Sequence, residues 1–381
     1  MQFSSHLFSS LCIVILNVAY ATLHKSLSCC DEQNDPTLSS CFFKYNKPHE
    51  LQSNQKFLGG SVVGGLGNQL FIMFSTISYA IKHDLPFIFD YNPDLIYRKT
   101  HWEGMYASLS CFSSKMYPLW QSNFSYLPSY NESSFYFTKI PSPAQLNLTQ
   151  FKLNGYCQSY KYFYAHKRMI FRAINVYNLQ SQIYDLYNDK YFNTTKLVVA
   201  MHFRIGDYTR NTKIYPIVPL QYYTNTIQAM LTDLNIPIST ISLLCVYDPT
   251  DSERITNDYL EPLRIKFPGI ELIVVDSAIP DWHQMLLMSL CRVIIIPNST
   301  FAWYVLVSMY MRAYMYTLYI HPKLIRRRVH CILCIICNDM TLYDTYAIYI
   351  YTIQVGGLLS PLQEGIQAPR VYHICYYYYY Y

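Results

Sequence analysis

The chain lacks a basic stripe. Its 381 residues carry 29 Lys and Arg against 24 Asp and Glu, a net charge of +5, and the cations are scattered. Nothing in that distribution calls for a nucleic-acid partner, while a small anionic substrate is compatible with it. A long apolar run is missing as well. The run from Leu11 to Leu23 is short for a membrane span, so residues 1–25 read as a cleaved signal peptide or a short type II anchor, with a buried helix or strand as the bland alternative. The basic region that usually precedes such a run is absent, only His6 standing before it. The cysteine pattern lacks a fourth member: Cys331, Cys334 and Cys337, preceded by His330, are separated by Ile and Leu alone. No further ligand follows at zinc or iron–sulfur spacing, so the segment reads as apolar chain and no metal is assigned.

What is present describes a large folded protein. With 51% hydrophobic residues over this length, the chain can bury a sizeable core, and two domains are expected rather than one. Asn123, Asn131, Asn147 and Asn193 each open an Asn-X-Ser/Thr glycosylation sequon in polar surroundings, and Asn298-Ser-Thr is a fifth match inside a core turn. Together with the N-terminus they point to an oxidising lumen. The twelve cysteines suit that compartment, and their spacing defines no pairing.

Residues 26–56 are polar and without period, as in a stem or linker. From Phe57, the stretch FLGGSVVGGLGNQLFIMFSTISYAIKHDLPFIFDY predicts a strand, a glycine turn, a helix from about Asn68 to His83 and a second strand. Residues 92–143 read as loop, 145–156 as strand-like, and 160–186 as helix-compatible. The rhythm then repeats: strands at 196–202, 241–247, 271–276 and 293–296 alternate with helices at 219–234 and 281–291. Alternation of this kind predicts an α/β protein with mostly parallel sheets and ligands at the carboxyl ends of strands. The boundaries that follow are a lobe over 57–195, a second over 196–310, and a divergent tail over 311–381 in which no period persists.

Three segments carry chemistry. In His202-Phe-Arg-Ile-Gly-Asp-Tyr208 a strand delivers Arg204 at its carboxyl end, and Gly206 allows a tight turn close to a ligand. Arg204 can fork onto phosphate oxygens and meet the charge that grows on a departing diphosphate. His202 shares its strand face by the period of two, and Asp207 would orient Arg204 or meet a ribose hydroxyl; the bland alternative is a structural Arg–Asp pair. Asn298, Ser299 and Thr300 end a strand and start a helix, a turn that can cap the helix and bind phosphate at once. Gly65 and Gly67, with Asn68 and Gln69, open the first helix and would face substrate from the other lobe, although helix packing explains a glycine turn as well.

The order GGLGNQLF, then LNGYCQSYKYF from Leu153 to Phe163, then HFRIGDY, then LMSLCRVIIIPNSTFAWY from Leu287 to Tyr304 resembles glycosyltransferase family 11, the α-1,2-fucosyltransferases, over Phe57 to Met309. The resemblance implies a GT-B-like fold of two Rossmann-like lobes and inverting transfer of L-fucose from GDP-β-L-fucose to a galactoside hydroxyl. It implies no cofactor and no divalent metal. A Golgi enzyme held by the N-terminal segment would follow, or a secreted one if that segment is cleaved. Carried over by position, His202, Arg204, Gly206 and Asp207 belong to the donor motif, Asn298, Ser299 and Thr300 to a second phosphate-proximal turn, and Asp248 to an acidic turn. Asn68 would face the reacting sugar, with Gly65, Gly67 and Gln69 around it. Four positions depart from the pattern: Ile205 stands where a second arginine is common, Gln284 where an acid is usual, Tyr304 in place of a tryptophan, and Val246-Tyr-Asp-Pro249 keeps only Asp248 of a Ser-Asp-Asp turn. A protein O-fucosyltransferase and an idle GDP- or glycan-binding relative are the competing readings. For the acceptor-side base, His83, Asp90, His101 and Glu103 are candidates that spacing does not separate.

Overall fold

A computed structural model describes residues 56–95, 98–117, 123–134 and 136–305, together with the backbone of 346–350 and 374–378. The expected signal or anchor, most of the stem, the cysteine triplet and most of the tail lie outside the described residues. Two parallel sheets organise the rest. The first is built from β1 (Phe57–Gly60), β2 (Phe87–Phe89), β5 (Ser129–Asn131) and β6 (Gln150–Asn154) in the order β2-β1-β6-β5. The strands β3 (Asp94–Leu95) and β4 (Arg98–Lys99) form a small separate antiparallel ladder. The second sheet holds β7 (Leu197–His202), β8 (Ile241–Val246), β9 (Glu271–Val274) and β10 (Val293–Ile295) in the order β10-β7-β8-β9. Every pairing inside these two sheets is parallel. This is the α/β class expected from the sequence, two lobes of parallel sheet flanked by helices in a GT-B-like arrangement.

Burial explains the strand sequences. All six residues of β8 and all four of β1 are buried, as strands covered on both faces must be. Helix α1 (Leu66–His83) is buried almost throughout its first fifteen residues and carries Lys82 and His83 at its dipole-negative end. It begins at Gly65 in extended conformation and ends on Asp84 in the left-handed region. Where a single helix-compatible stretch was expected over 160–186, the chain makes two, α2 (Lys167–Ile174) and α3 (Val176–Tyr191), broken at Asn175 with φ 59, a conformation that asparagine tolerates. Residues 145–149 do not join the strand read there: Ser142 and Gln145 form a capping box over the short helix Pro143–Leu146, and β6 starts only at Gln150. The edge strand β5 falls inside the stretch read as loop. In the tail, β11 (Tyr346–Ile350) pairs antiparallel with β12 (Ile374–Tyr378), which no sequence period foreshadowed.

Helix α4 (Leu220–Leu234) covers the second sheet, and α5 (Asp281–Leu290) packs by its buried face, Gln180 of α3 donating to the Ser289 hydroxyl at 2.8 Å. A further helix starts at 300. Its Trp303 and Tyr304 meet Phe71 of α1 at ring centroids of 4.8 and 4.9 Å, so one apolar cluster runs from the first lobe into the second. Among the described residues, no helix is long and apolar enough to cross a membrane, and Cys111, Cys157 and Cys245 are free thiols.

Candidate functional site

Strand β7 ends at His202, and Phe203 extends its ladder by donating to the Val246 carbonyl at 2.9 Å. The period of two then sorts the motif. Phe203 and Ile205 turn into the second core, each 2% exposed, while His202 and Arg204 take the other face. Ile205, the departure noted at this motif, is therefore on the wrong side to place any group beside Arg204. Gly206 follows with φ +33, and its amide donates to Asp251 Oδ2 at 2.8 Å, tying this turn to the loop after β8.

Arg204 lies within this turn. Its Nη2 is 2.5 Å from Asp207 Oδ1, and its guanidinium carbon sits 5.0 Å from the Tyr208 ring centre. The Tyr208 hydroxyl donates to the Asn298 carbonyl at 2.9 Å, and its ring stacks on Tyr215 at 5.0 Å. Arg204 is thus braced on two sides with its side chain 22% exposed. His202 is different. Its ring lies 5.0 Å from that of Phe301, and burial, then the charge of Arg204, holds its pKa down to about 3. It is a neutral imidazole at physiological pH, and its buried Nδ1 has no hydrogen-bond partner among the described residues. A buried polar atom left unpaired costs about 1–3 kcal/mol, so a hydrogen bond reaching this solvent-closed nitrogen would be stabilising.

The second predicted turn adjoins the first. Asn298 donates from Nδ2 to the Pro216 carbonyl at 3.0 Å, and its buried Oδ1 has no partner among the described residues. Ser299 is buried, and its carbonyl accepts from Trp303, opening the helix that begins at Thr300. The glycine turn of the other lobe closes on this helix start. A Cβ on Gly67 would stand 2.4 Å from the Thr300 carbonyl carbon and 2.5 Å from the Phe301 nitrogen, so only glycine fits, and the Phe301 amide is covered by it. Gly65 has nothing within 4 Å of its Cβ position. Gly64, with φ +80, lies against Tyr156.

Asn68 is half-buried and accepts from Gln158 Nε2 at 2.8 Å. Gln69 is wholly buried: its amide donates to the carbonyls of Gly64 at 2.9 Å and Lys99 at 3.0 Å, and its oxygen accepts from Tyr106 at 3.3 Å. Those bonds staple the turn from inside, away from solvent. Asp248 caps the loop after β8 through Thr250, accepting its hydroxyl at 2.7 Å, and comes within 3.5 Å of Arg98 from the other lobe. Burial pushes the Asp248 carboxyl up, and the Thr250 and Arg98 contacts outweigh it, leaving the pKa below the ordinary value. Gln284 and Tyr304 are buried, Gln284 donating to the Ile279 carbonyl at 2.7 Å.

The four acid–base candidates separate. His83 is at the far end of α1 from the glycine turn, about 25 Å away at 1.5 Å per residue. His101 Nε2 lies 2.6 Å from Asp281, and Glu103 is exposed on the turn beside it. Asp90 follows β2 at the carboxyl edge of the first sheet, where its amide donates to the Gly60 carbonyl at 3.0 Å; burial raises its pKa, with Lys152 opposing. Asn123, Asn131, Asn147 and Asn193 are exposed, whereas the amide of Asn298 is engaged. Asp251, Arg98, Glu132 and Gln158 take part in or beside the site without having been singled out. Of these, Gln158 lies inside the Leu153–Phe163 segment and Glu132 inside the Asn131 sequon.

No family model matches the chain, and no curated protein matches it. Among solved structures it is similar to a mutant of Arabidopsis thaliana FUT1 in complex with GDP, at 13% identity and a TM-score of 0.42, covering 80% of this chain and 78% of that one. It is also similar to NodZ α-1,6-fucosyltransferase soaked with GDP-fucose, at 14% identity and a TM-score of 0.34, covering 66% of this chain and 92% of that one. A glycosyl transferase family 9 protein from Veillonella parvula matches at 12% identity and a TM-score of 0.34, covering 68% of this chain and 80% of that one. The two-lobed architecture rests on the strand order above, independently of these likenesses.

Proposed function

We propose that the chain is an inverting fucosyltransferase of the secretory pathway, moving L-fucose from GDP-β-L-fucose to a galactoside hydroxyl. The observation that carries this reading is the meeting of three sequence segments at one place. Arg204 and the buried His202 Nδ1 at the end of β7 adjoin the Asn298–Thr300 turn, and Gly67 of the opposite lobe packs onto that turn without room for a methyl group. In the proposed reaction the acceptor oxygen attacks the anomeric carbon as the bond to the β-phosphate oxygen breaks. The bonding electrons leave with GDP, and Arg204 meets the charge that develops there. Asp90, at the carboxyl edge of the facing sheet with its pKa raised, takes the acceptor proton. Asn68 faces the sugar from the glycine turn, and the chain acts with neither cofactor nor divalent metal.

One observation favours a second reading, a GDP-binding relative without turnover: Arg204 is the only guanidinium within His202–Tyr208, and its Nη2 is already engaged by Asp207. Calorimetry with GDP, followed by an assay of GDP release from GDP-fucose with a panel of β-galactosides, separates the two. Binding with acceptor-dependent release supports the transferase. Binding without release for any acceptor supports the idle relative, and no binding removes both.

A further inference from the structure

Glu132 follows β5 and extends the parallel ladder by donating its amide to the Asn154 carbonyl at 2.8 Å. Beyond β6 the chain wraps around its carboxylate. Gly155 turns with φ +144 and Cys157 with φ +49. The Cys157 amide donates to Glu132 Oε2 at 2.9 Å, and the Tyr162 hydroxyl donates to Oε1 at 3.4 Å. One backbone amide and one hydroxyl from the chain that follows β6 thus hold the carboxylate at the bend. The fit is close: a Cβ on Gly155 would lie 2.4 Å from the Cβ of Glu132. The outer side of the same turn is the wall of the glycine motif. Tyr156 lies 3.1 Å from the Cβ position of Gly64, and Gln158 holds the Asn68 oxygen at 2.8 Å.

We propose that Glu132 is the positioning residue of the acceptor side: its carboxylate shapes the 155–157 turn, and that turn sets Asn68 and the glycine loop opposite Arg204. The proposal rests on the reading of the site as one for sugar transfer. Glu132 itself touches no reacting atom, since its oxygens are used by the turn. The titratable groups that face it are Tyr130 from β5, Cys157 from the turn and Tyr162 from the 160–162 segment. None of these supplies a positive charge, and burial raises the Glu132 pKa despite its hydrogen bonds. As pH falls through that raised value, the carboxyl gains a proton and one of its oxygens becomes a donor, which changes the hydrogen bonding of the turn while the fold itself loses no stability from this group.

The test is Glu132→Gln in the full chain, followed by GDP calorimetry, thermal midpoint, hydrogen exchange at 155–158 and the pH profile of transfer. Expected are unchanged GDP affinity, faster exchange in the turn, a fall in kcat on the order of 10-fold to 100-fold from misplacement, and loss of the acid limb attributable to Glu132. Transfer within about twofold of wild type with the same acid limb overturns the proposal, as does unchanged exchange at 155–158. A uniform fall in thermal midpoint and GDP affinity, with the acid limb intact, also overturns it by showing a merely structural role. A wild-type chain that binds no GDP instead overturns the reading of the site, an outcome distinguishable from a GDP-binding, transferring wild type indifferent to this change.

Discussion

After β1 the chain turns through Gly64, Gly65 and Gly67; after β7 it turns through Gly206. Both turns sit at carboxyl edges of parallel sheets, where ligands bind in such folds. Their polar groups are deployed differently. In the first, Gln69 spends its whole amide on Gly64, Lys99 and Tyr106, Asn68 is held by Gln158, and Gly67 is consumed in contact with the other lobe. In the second, Arg204 keeps part of its side chain exposed, and His202 keeps a buried nitrogen without a partner among the described residues. The difference assigns the work: the first turn is a shaped wall, and the second carries available charge and hydrogen-bonding capacity. Substitutions in the second should therefore reach ligand and turnover, and those in the first should reach stability and alignment.

The strongest way to break that division is Arg204→Ala. Loss of a donor aimed at developing charge lowers kcat by about 10²–10³-fold, and Arg204 is partly exposed and paired with Asp207 at the surface, so the thermal midpoint should move little. Near-normal turnover in that variant, with GDP affinity retained, would place the charge-stabilising group elsewhere. The next is His202→Gln. The native His202 pKa, about 3, lies below the unfolded value of about 6.5, so the unfolded chain binds the proton first. The stability contributed by His202 is complete above the unfolded value and is lost as pH falls toward 3, by about 1.4 kcal/mol per pH unit. Denaturant titrations across that window should show a shallower acid loss in the variant than in wild type; parallel curves would mean that the imidazole is not a buried neutral group.

Gly67→Ala probes the first turn. The added methyl cannot fit against the Thr300 backbone, so α1 and the helix that starts at 300 must separate, at a cost of about 1–3 kcal/mol. Gly65→Ala, two residues away, meets nothing within 4 Å and has ordinary extended dihedrals, so it should stay within about 0.5 kcal/mol of wild type. Equal midpoints for the two variants would mean that the lobes are not joined at Gly67.

The same contrast explains what could be read in the sequence. Strands β7 to β10 and helices α1, α4 and α5 were expected to within a few residues, because apolar runs in this protein alternate with helical periods. Strand β5 escaped, since an exposed three-residue edge has no apolar signature, and the break at Asn175 looks like any polar helix position. His202, Arg204 and Asp207 were legible as one contiguous string. The contacts that complete the site are not contiguous: Asp251 meets Gly206 across 45 residues, and Arg98 meets Asp248 across 150. Such pairs come from strand order, which no local pattern encodes. Glu132 was hidden for a further reason, since a carboxylate inside a glycosylation sequon reads as surface.

Arg98 and Asp248 give the smallest and most discriminating comparison. Like Gly67, they join the lobes, but by charge rather than by close packing, with side chains 41% and 24% exposed at 3.5 Å. Exposed pairs of this kind contribute about 0.2–1 kcal/mol and weaken with salt. Arg98→Gln should therefore lower the thermal midpoint only slightly, and the difference should shrink at high ionic strength, whereas the Gly67→Ala loss should not depend on salt. Asp248 would also lose one of the contacts that depress its pKa, so its carboxylate should titrate higher in the variant, as carboxylate-selective NMR would detect. If Arg98→Gln costs as much as Gly67→Ala and the loss persists in salt, the ion pair rather than the glycine contact sets how the two edges face each other.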